Sequence, residues 1–139
     1  MRNLLLSVCC GAAILAAGCS TLPRSNTAIL QGAWQGRVIQ GNPEAACHFL
    51  IAGNHFEFRD ADTNVWYKGS FTLREDTAPK QFIATVSESS LPQYVGKTSL
   101  AIYRIEQDTL TITGNEPGNP AVPASFDAKD AVRVELKRE

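Results

Sequence analysis

From Ala33 onward, apolar residues recur at every second position in short runs separated by clusters of Gly, Asn, Asp and Pro. That is the spacing of strands that alternate between two faces, and it differs from the roughly 3.6-residue period of a helix. Eight such runs cover 33–40, 47–52, 55–60, 65–74, 81–88, 98–106, 109–114 and 131–138. Trp34 and Val38 share one face of the first. Phe56 and Phe58 share a face of the third, Val65, Tyr67, Phe71 and Leu73 of the fourth, and Val132, Val134 and Leu136 of the last. The opposite faces carry Arg37, Glu57, Lys68, Arg74, Arg133, Glu135 and Lys137. One face in water and one in a core is the condition for an antiparallel sheet.

The connections agree with this pattern. Ala52-Gly53-Asn54, Asp60-Ala61-Asp62-Thr63-Asn64 and Glu106-Gln107-Asp108 are short and rich in turn residues, so consecutive runs pair as hairpins. Eight antiparallel strands in a meander protect their edges by closing into an up-and-down barrel, with an interior either filled by side chains or holding one small ligand. The stretch from Glu116 to Ala124 has too many prolines to pair as a central strand, because proline lacks the N–H donor. It is expected to form a long loop before the last strand.

The start of the chain obeys a different rule. Met1-Arg2-Asn3 supplies a positive charge, Leu4 to Ala17 is uncharged and nearly all apolar, and Ala16-Ala17-Gly18 precedes Cys19. This order is that of a cleaved signal peptide over residues 1–18. Its apolar segment would span roughly 21 Å as a helix, short of a ~30 Å hydrocarbon core, so a permanent membrane span is not expected. Leu15-Ala16-Ala17-Gly18-Cys19 resembles the bacterial lipobox, which implies lipidation of Cys19 and a lipoprotein held to a membrane by acyl chains. Ser20 stands after the cysteine where an aspartate would signal inner-membrane retention, so the expected location is the outer membrane, facing the periplasm. Residues 19–29 are polar, without strand or helix periodicity, and read as a tether.

Removing the leader leaves 121 residues, enough for one domain that buries roughly two thirds of its unfolded surface. Arg2 is the only charged residue removed, so 12 basic side chains face 14 acidic ones and no electrostatic case for nucleic acid exists. Cys9, Cys10 and Cys19 lie in or at the end of the leader, which leaves Cys47 alone in the folded part and excludes a disulfide scaffold. Its neighbours His48-Phe49-Leu50-Ile51 point to a buried, unreactive thiol.

Gly32-Ala33-Trp34 at the first strand and Leu136-Lys137-Arg138 at the last resemble the ends of lipocalin-like barrels. The resemblance implies that Trp34 plugs one end while Arg138 lies over its ring, a closure device and not a catalytic one. Along the whole stretch from Leu30 to Arg138 the chain also resembles an uncharacterised small lipocalin-like domain family abundant in planctomycete and verrucomicrobial bacteria. The shared motifs are Leu30-Gln31-Gly32-x-Trp34, Gly69-Ser70-Phe71, Pro79-Lys80, Ile102-Tyr103, Asp108-Thr109-Leu110, Pro117-Gly118-x-Pro120 and Leu136-Lys137-Arg138. The chain departs from the family at Thr113-Gly114, where Cys-Phe is common, and at Val122-Pro123, where Arg-Pro is common. The family carries no established activity, so the resemblance implies an all-β, lipocalin-like barrel over residues 30–139 and no particular chemistry.

Catalytic and metal-binding patterns are scarce. Asp60-x-Asp62-x-Asn64 begins like a calcium loop, but Val65 and Phe71 stand where that loop needs glycine and glutamate, so a hairpin turn is expected. His48, His55 and Glu57 lack a third histidine for a zinc site. Ser87-Glu88-Ser89-Ser90 reads as a polar loop, and no Gly-x-Ser-x-Gly elbow or phosphate loop is present; Gly32 and Gly36 merely flank a tryptophan within a strand. No metal, cofactor or catalytic residue is expected. Trp66, Tyr67, Phe71, Phe82 and Tyr103 are the aromatic candidates for core packing or for a pocket, and an exposed Trp66 would suggest a contact patch. The leading expectation is a non-enzymatic module that binds a small apolar or amphipathic ligand. The alternative is an envelope structural or protein-interaction module with a filled barrel. An apolar cavity of a few hundred cubic ångströms would favour the first.

Overall fold

The computed structural model describes residues 18, 22–39, 45–61 and 64–139. The signal peptide expected over residues 1–18 and the expected lipidation site Cys19 therefore lie outside the described residues, apart from Gly18. A short helix, α1 (Asn26–Leu30), leads into eight strands: β1 (Gly32–Val38), β2 (Ala46–Ala52), β3 (His55–Asp60), β4 (Trp66–Arg74), β5 (Lys80–Ser89), β6 (Thr98–Glu106), β7 (Thr109–Gly114) and β8 (Val132–Arg138). Each strand pairs antiparallel with the next, and β8 returns to β1, giving a closed up-and-down barrel. Trp34 opposes Arg138 and Gly36 opposes Leu136 across the closing seam.

Each strand turns alternate residues inward because its side chains alternate across the barrel wall. In β2, Cys47, Phe49 and Ile51 are buried while Ala46, His48 and Leu50 are exposed. The two ends of the barrel differ in how the chain connects them. At one end lie α1, the tight turn at Gly53-Asn54, the segment 75–79, the Gln107-Asp108 turn and the last residues of β8. Gly53 takes a φ of +62°, a conformation that glycine reaches without a Cβ clash. At the other end lie Ile39, Ala45, Ala61, Asn64 and Val65, the segment 90–97 and the long connection 115–131.

The reading of residues 19–29 as tether is corrected at its C-terminal part. Residues 26–29 belong to α1, whose N-cap Ser25 accepts a hydrogen bond from the Ala28 amide at 3.2 Å. One turn is too short to show helical periodicity, and packing supplies what propensity does not. Leu30 is fully buried, and its carbonyl accepts the Trp34 indole N–H at 2.8 Å. The Arg138 guanidinium sits 4.3 Å above the Trp34 ring and donates to the carbonyls of Gln31, at 2.8 Å, and Ile29. One end of the barrel is thus stoppered by α1, Trp34 and Arg138.

Two further differences from the sequence reading concern polar segments. Ser87, Glu88 and Ser89 lie within β5 and not in a loop. They pair with β4 across a bulge at Lys68/Gly69, where the Ser87 and Ser89 hydroxyls donate to the carbonyls of Lys68 and Trp66 at 3.1 Å each. These hydroxyls stand in for ladder bonds that the bulge disrupts. The connection 115–131 is a loop, as its prolines require, yet it folds back over the outside of β6 and β7. Thr113 Oγ1 donates to the Phe126 carbonyl at 3.1 Å, Asn115 Nδ2 donates to the Ala121 carbonyl at 2.7 Å, and Arg104 lies 4.5 Å over the Phe126 ring. Arg133 anchors the same loop through Asp127 at 2.6 Å. Ile102 and Thr113, on the outer face of the wall, consequently have no exposed surface.

Candidate functional site

The barrel is packed at the stoppered end and hollow at the other. Near α1, the rings of Phe71 and Phe82 stack at 4.7 Å, Phe82 meets Tyr103 edge-on at 6.5 Å, and Leu110 and Leu136 are fully buried. Toward the far end the inward positions shrink. Along β5 they run Phe82, Ala84, Val86; along β6, Tyr103, Ala101, Ser99; along β7, Leu110, Ile112, Gly114. Three adjacent strands therefore withdraw side-chain volume at the same level, and the wall itself cannot collapse because its hydrogen-bonded ladder is closed.

The result is a cavity of about 610 Å³, whose walls include Phe49, Phe56, Phe58, Val86, Ile112 and Val134. This volume lies within the roughly 300–1,000 Å³ typical of small-molecule sites. An aromatic column runs from its floor to its mouth. Phe49 lies 6.0 Å from Phe56 and 6.3 Å from Phe58, Phe58 stacks on Tyr67 at 6.0 Å, and Tyr67 meets Tyr94 at 5.9 Å. Leu91 and Tyr94, from the 3-10 turn at Pro92–Tyr94, overhang the opening.

The polar atoms of the site gather at the mouth. Asp60, Glu116 and Asp130 line it, together with Ser99 and Asn115. The Tyr94 hydroxyl donates to Glu116 Oε1. That bond, followed by burial, pushes the Tyr94 phenol up to about 12. Tyr67 is also raised, first by burial and then by the charges of Glu116 and Asp60. Both phenols are neutral donors at physiological pH. The thiol of Cys47 is pushed up to about 11, mainly by burial and next by Asp60, which leaves it protonated and a poor nucleophile.

Of the aromatic candidates from the sequence, Tyr67 and Phe82 line the cavity, whereas Phe71 packs in the filled half. Tyr103 is buried there too, and its hydroxyl accepts from Asn26 Nδ2 at 2.9 Å beside a second hollow of about 370 Å³ formed with Thr77, Pro79 and Phe126. Trp66 faces outward between Arg59, 5.8 Å from its ring, and Lys68, 5.4 Å away. His48 lies on the outer surface, paired with Glu139 at 2.9 Å, and His55 is exposed next to the Gly53-Asn54 turn. The two histidines are not brought together, and no group of three His, Cys, Asp or Glu able to hold a metal occurs among the described residues. Asp62 lies outside the described residues, while Asn64 takes a φ of +56° in the connection between β3 and β4.

Glu116, Asp130 and the small residues Ala84, Ser99 and Ala101 were not singled out by motif or spacing; Asp60 entered only through the calcium-loop pattern and Gly114 only as a departure from the family motif. Their signal in the sequence is the decrease in side-chain size along three successive hairpin-linked strands. That decrease becomes visible once the register pairs Ala84 with Ser99 and Ala101 with Gly114. No helix among the described residues is long and apolar enough to cross a membrane. No protein-family model, characterised protein or solved structure matches the chain.

Proposed function

We propose that the protein is a lipid-anchored, non-enzymatic binding module of the bacterial envelope, whose barrel holds one small apolar or amphipathic molecule. The supporting observation is the open, apolar-walled cavity of about 610 Å³ above a filled floor. A barrel serving only as a rigid interaction scaffold has no use for withdrawn volume. Unfilled space forgoes dispersion contacts and destabilises a core, so its retention argues for an occupant. The filled-barrel alternative accounts for the stoppered half alone.

The test is binding of the neutral fluorescent probe N-phenyl-1-naphthylamine to the mature domain, read as a saturable rise in emission. Ala84→Phe places a ring inside the cavity and is expected to weaken binding at least about tenfold, since excluding two buried methylenes' worth of ligand contact already amounts to that. Unchanged affinity in a variant that unfolds like the parent would place the probe elsewhere and remove the support for this reading.

The location rests on the leader and on Cys19. Two or three acyl chains, each methylene contributing about 0.8 kcal/mol, hold a protein on a bilayer durably, which a single chain does not. Cys19→Ser is expected to shift the protein from the membrane pellet to the soluble periplasmic fraction and to abolish metabolic labelling with radioactive palmitate. Continued labelling of the variant would overturn the assignment of Cys19 as the anchor. Outer-membrane sorting, facing the periplasm, is part of the same proposal and is read by density separation of the two membranes.

A further inference from the structure

We propose that the cavity is built for a cationic amphiphile: an apolar chain or ring system seated in the barrel with a protonated amine held at the mouth. This rests on the reading of the barrel as a ligand carrier and specifies the chemical class of what it carries.

The inference comes from the sign and placement of the polar groups. Every ionised side chain that lines the cavity is acidic, namely Asp60, Glu116 and Asp130, and none of its described lining residues is Lys, Arg or His. The nearby basic residues Lys97 and Lys129 are exposed and do not line it. The acids are confined to the mouth, and the interior below them is hydrocarbon and aromatic rings, so the site has one charged end and one apolar end. A ligand with the matching polarity is amphipathic, and the low-dielectric walls focus the negative potential on its head group.

The aromatic column ends at the same place. Tyr67 and Tyr94, 5.9 Å apart, line the opening together with Glu116, and aromatic rings attract ammonium groups as carboxylates do. The Tyr67 phenol is raised first by burial and then by the charges of Glu116 and Asp60, in keeping with two carboxylates that act on one point inside the mouth. A fatty acid would have to put its own carboxylate into this field. A neutral alcohol would neither gain nor lose by it. Each carboxylate facing a partly solvated head group contributes about two- to fivefold, favourably to an amine and unfavourably to an acid, so the span between the two exceeds about tenfold.

The experiment displaces N-phenyl-1-naphthylamine from the mature domain at pH 7 and low salt with three ligands of equal chain length: dodecylamine, dodecanol and dodecanoate. Dodecylamine is expected to displace the probe at a concentration at least about tenfold below dodecanoate, with dodecanol between them. In the double variant Glu116→Gln/Asp130→Asn, whose own affinity for the neutral probe is measured first and used as its reference, the gap between amine and acid is expected to shrink at least about tenfold, leaving the share that Asp60 contributes. Added salt should narrow the parent's gap in the same direction. Equal or better displacement by dodecanoate, or a gap left undiminished by the double substitution, would overturn the cationic assignment while leaving the carrier reading in place. Failure of the probe to bind the parent at all would remove the carrier reading and this proposal together.

Discussion

Gly36→Ala is expected to open the barrel. An alanine Cβ at this position would lie 1.8 Å from the carbonyl oxygen of Glu135 and 2.9 Å from Cα of Leu136, contacts with backbone that no rotamer change can relieve. Those atoms belong to β8, and β1 with β8 forms the seam that joins the first strand to the last. Accommodating the methyl group requires the two strands to separate, which breaks ladder hydrogen bonds and exposes two edges. The expected loss is about 3 kcal/mol or more, at the upper end of what overpacking produces. Gln35→Ala, one residue away and exposed, should change stability by less than about 0.5 kcal/mol. Urea unfolding of the three proteins provides the comparison. A Gly36→Ala variant within about 1 kcal/mol of the parent would mean that the seam is more compliant than its geometry implies.

Trp34→Ala should produce a comparable loss by another route. Trp34 is almost wholly buried, its indole N–H is bonded to the Leu30 carbonyl, and its ring supports Arg138, which in turn holds the carbonyls of Ile29 and Gln31. Removing the ring leaves a cavity in the floor, unpairs the Leu30 carbonyl and takes away the surface on which Arg138 lies. Large-to-small substitution of a buried tryptophan destabilises by about 3–5 kcal/mol, a fall in Tm of roughly 10–20 °C for a domain of this size. Because α1 is tied to the barrel mainly through this cluster, its amides should lose hydrogen-exchange protection before those of β5 and β6. Trp34→Phe keeps an aromatic ring but not the N–H, and should fall between parent and alanine. If α1 kept its protection in Trp34→Ala, the stopper would have to be held by contacts other than Trp34 and Arg138.

The two substitutions differ in how far the sequence anticipated them. Trp34 and Arg138 stand in the terminal strands of a Gly-x-Trp…Arg pattern, and the resemblance to lipocalin-like ends already paired them. Gly36 carries no such sign. As a letter in a strand it says only that a side chain is missing; that the missing atom would strike Glu135 depends on how tightly β1 and β8 coil about each other. Gly69 is the same case at the β4 bulge, where a Cβ would meet the Thr85 carbonyl at 1.8 Å.

The helix and the folded-back loop were hidden for a related reason. A single turn such as Asn26–Leu30 is stable only through what Leu30 and Trp34 bury, and a loop such as 115–131 is ordered by Thr113, Arg104 and Arg133 on strands it does not adjoin in sequence. Neither has a period to detect. The Ser87–Ser89 segment misled in the opposite sense, since hydroxyls that usually mark loops here replace ladder bonds at a bulge.

By itself, the alternation of apolar and polar residues determined the eight strands, the inward faces of β1, β3, β4 and β8 and, through the short turn-forming connections, their antiparallel order. These are local properties, fixed by the two-residue repeat of a strand and by the few residues a tight turn accepts. Only the tertiary structure decided that the barrel is solid at Trp34 and hollow above Ala84, Ala101 and Gly114, and that Asp60, Glu116 and Asp130 meet at the opening. Enclosed volume and the sign of a field are sums over residues from many strands. No short stretch of sequence contains either.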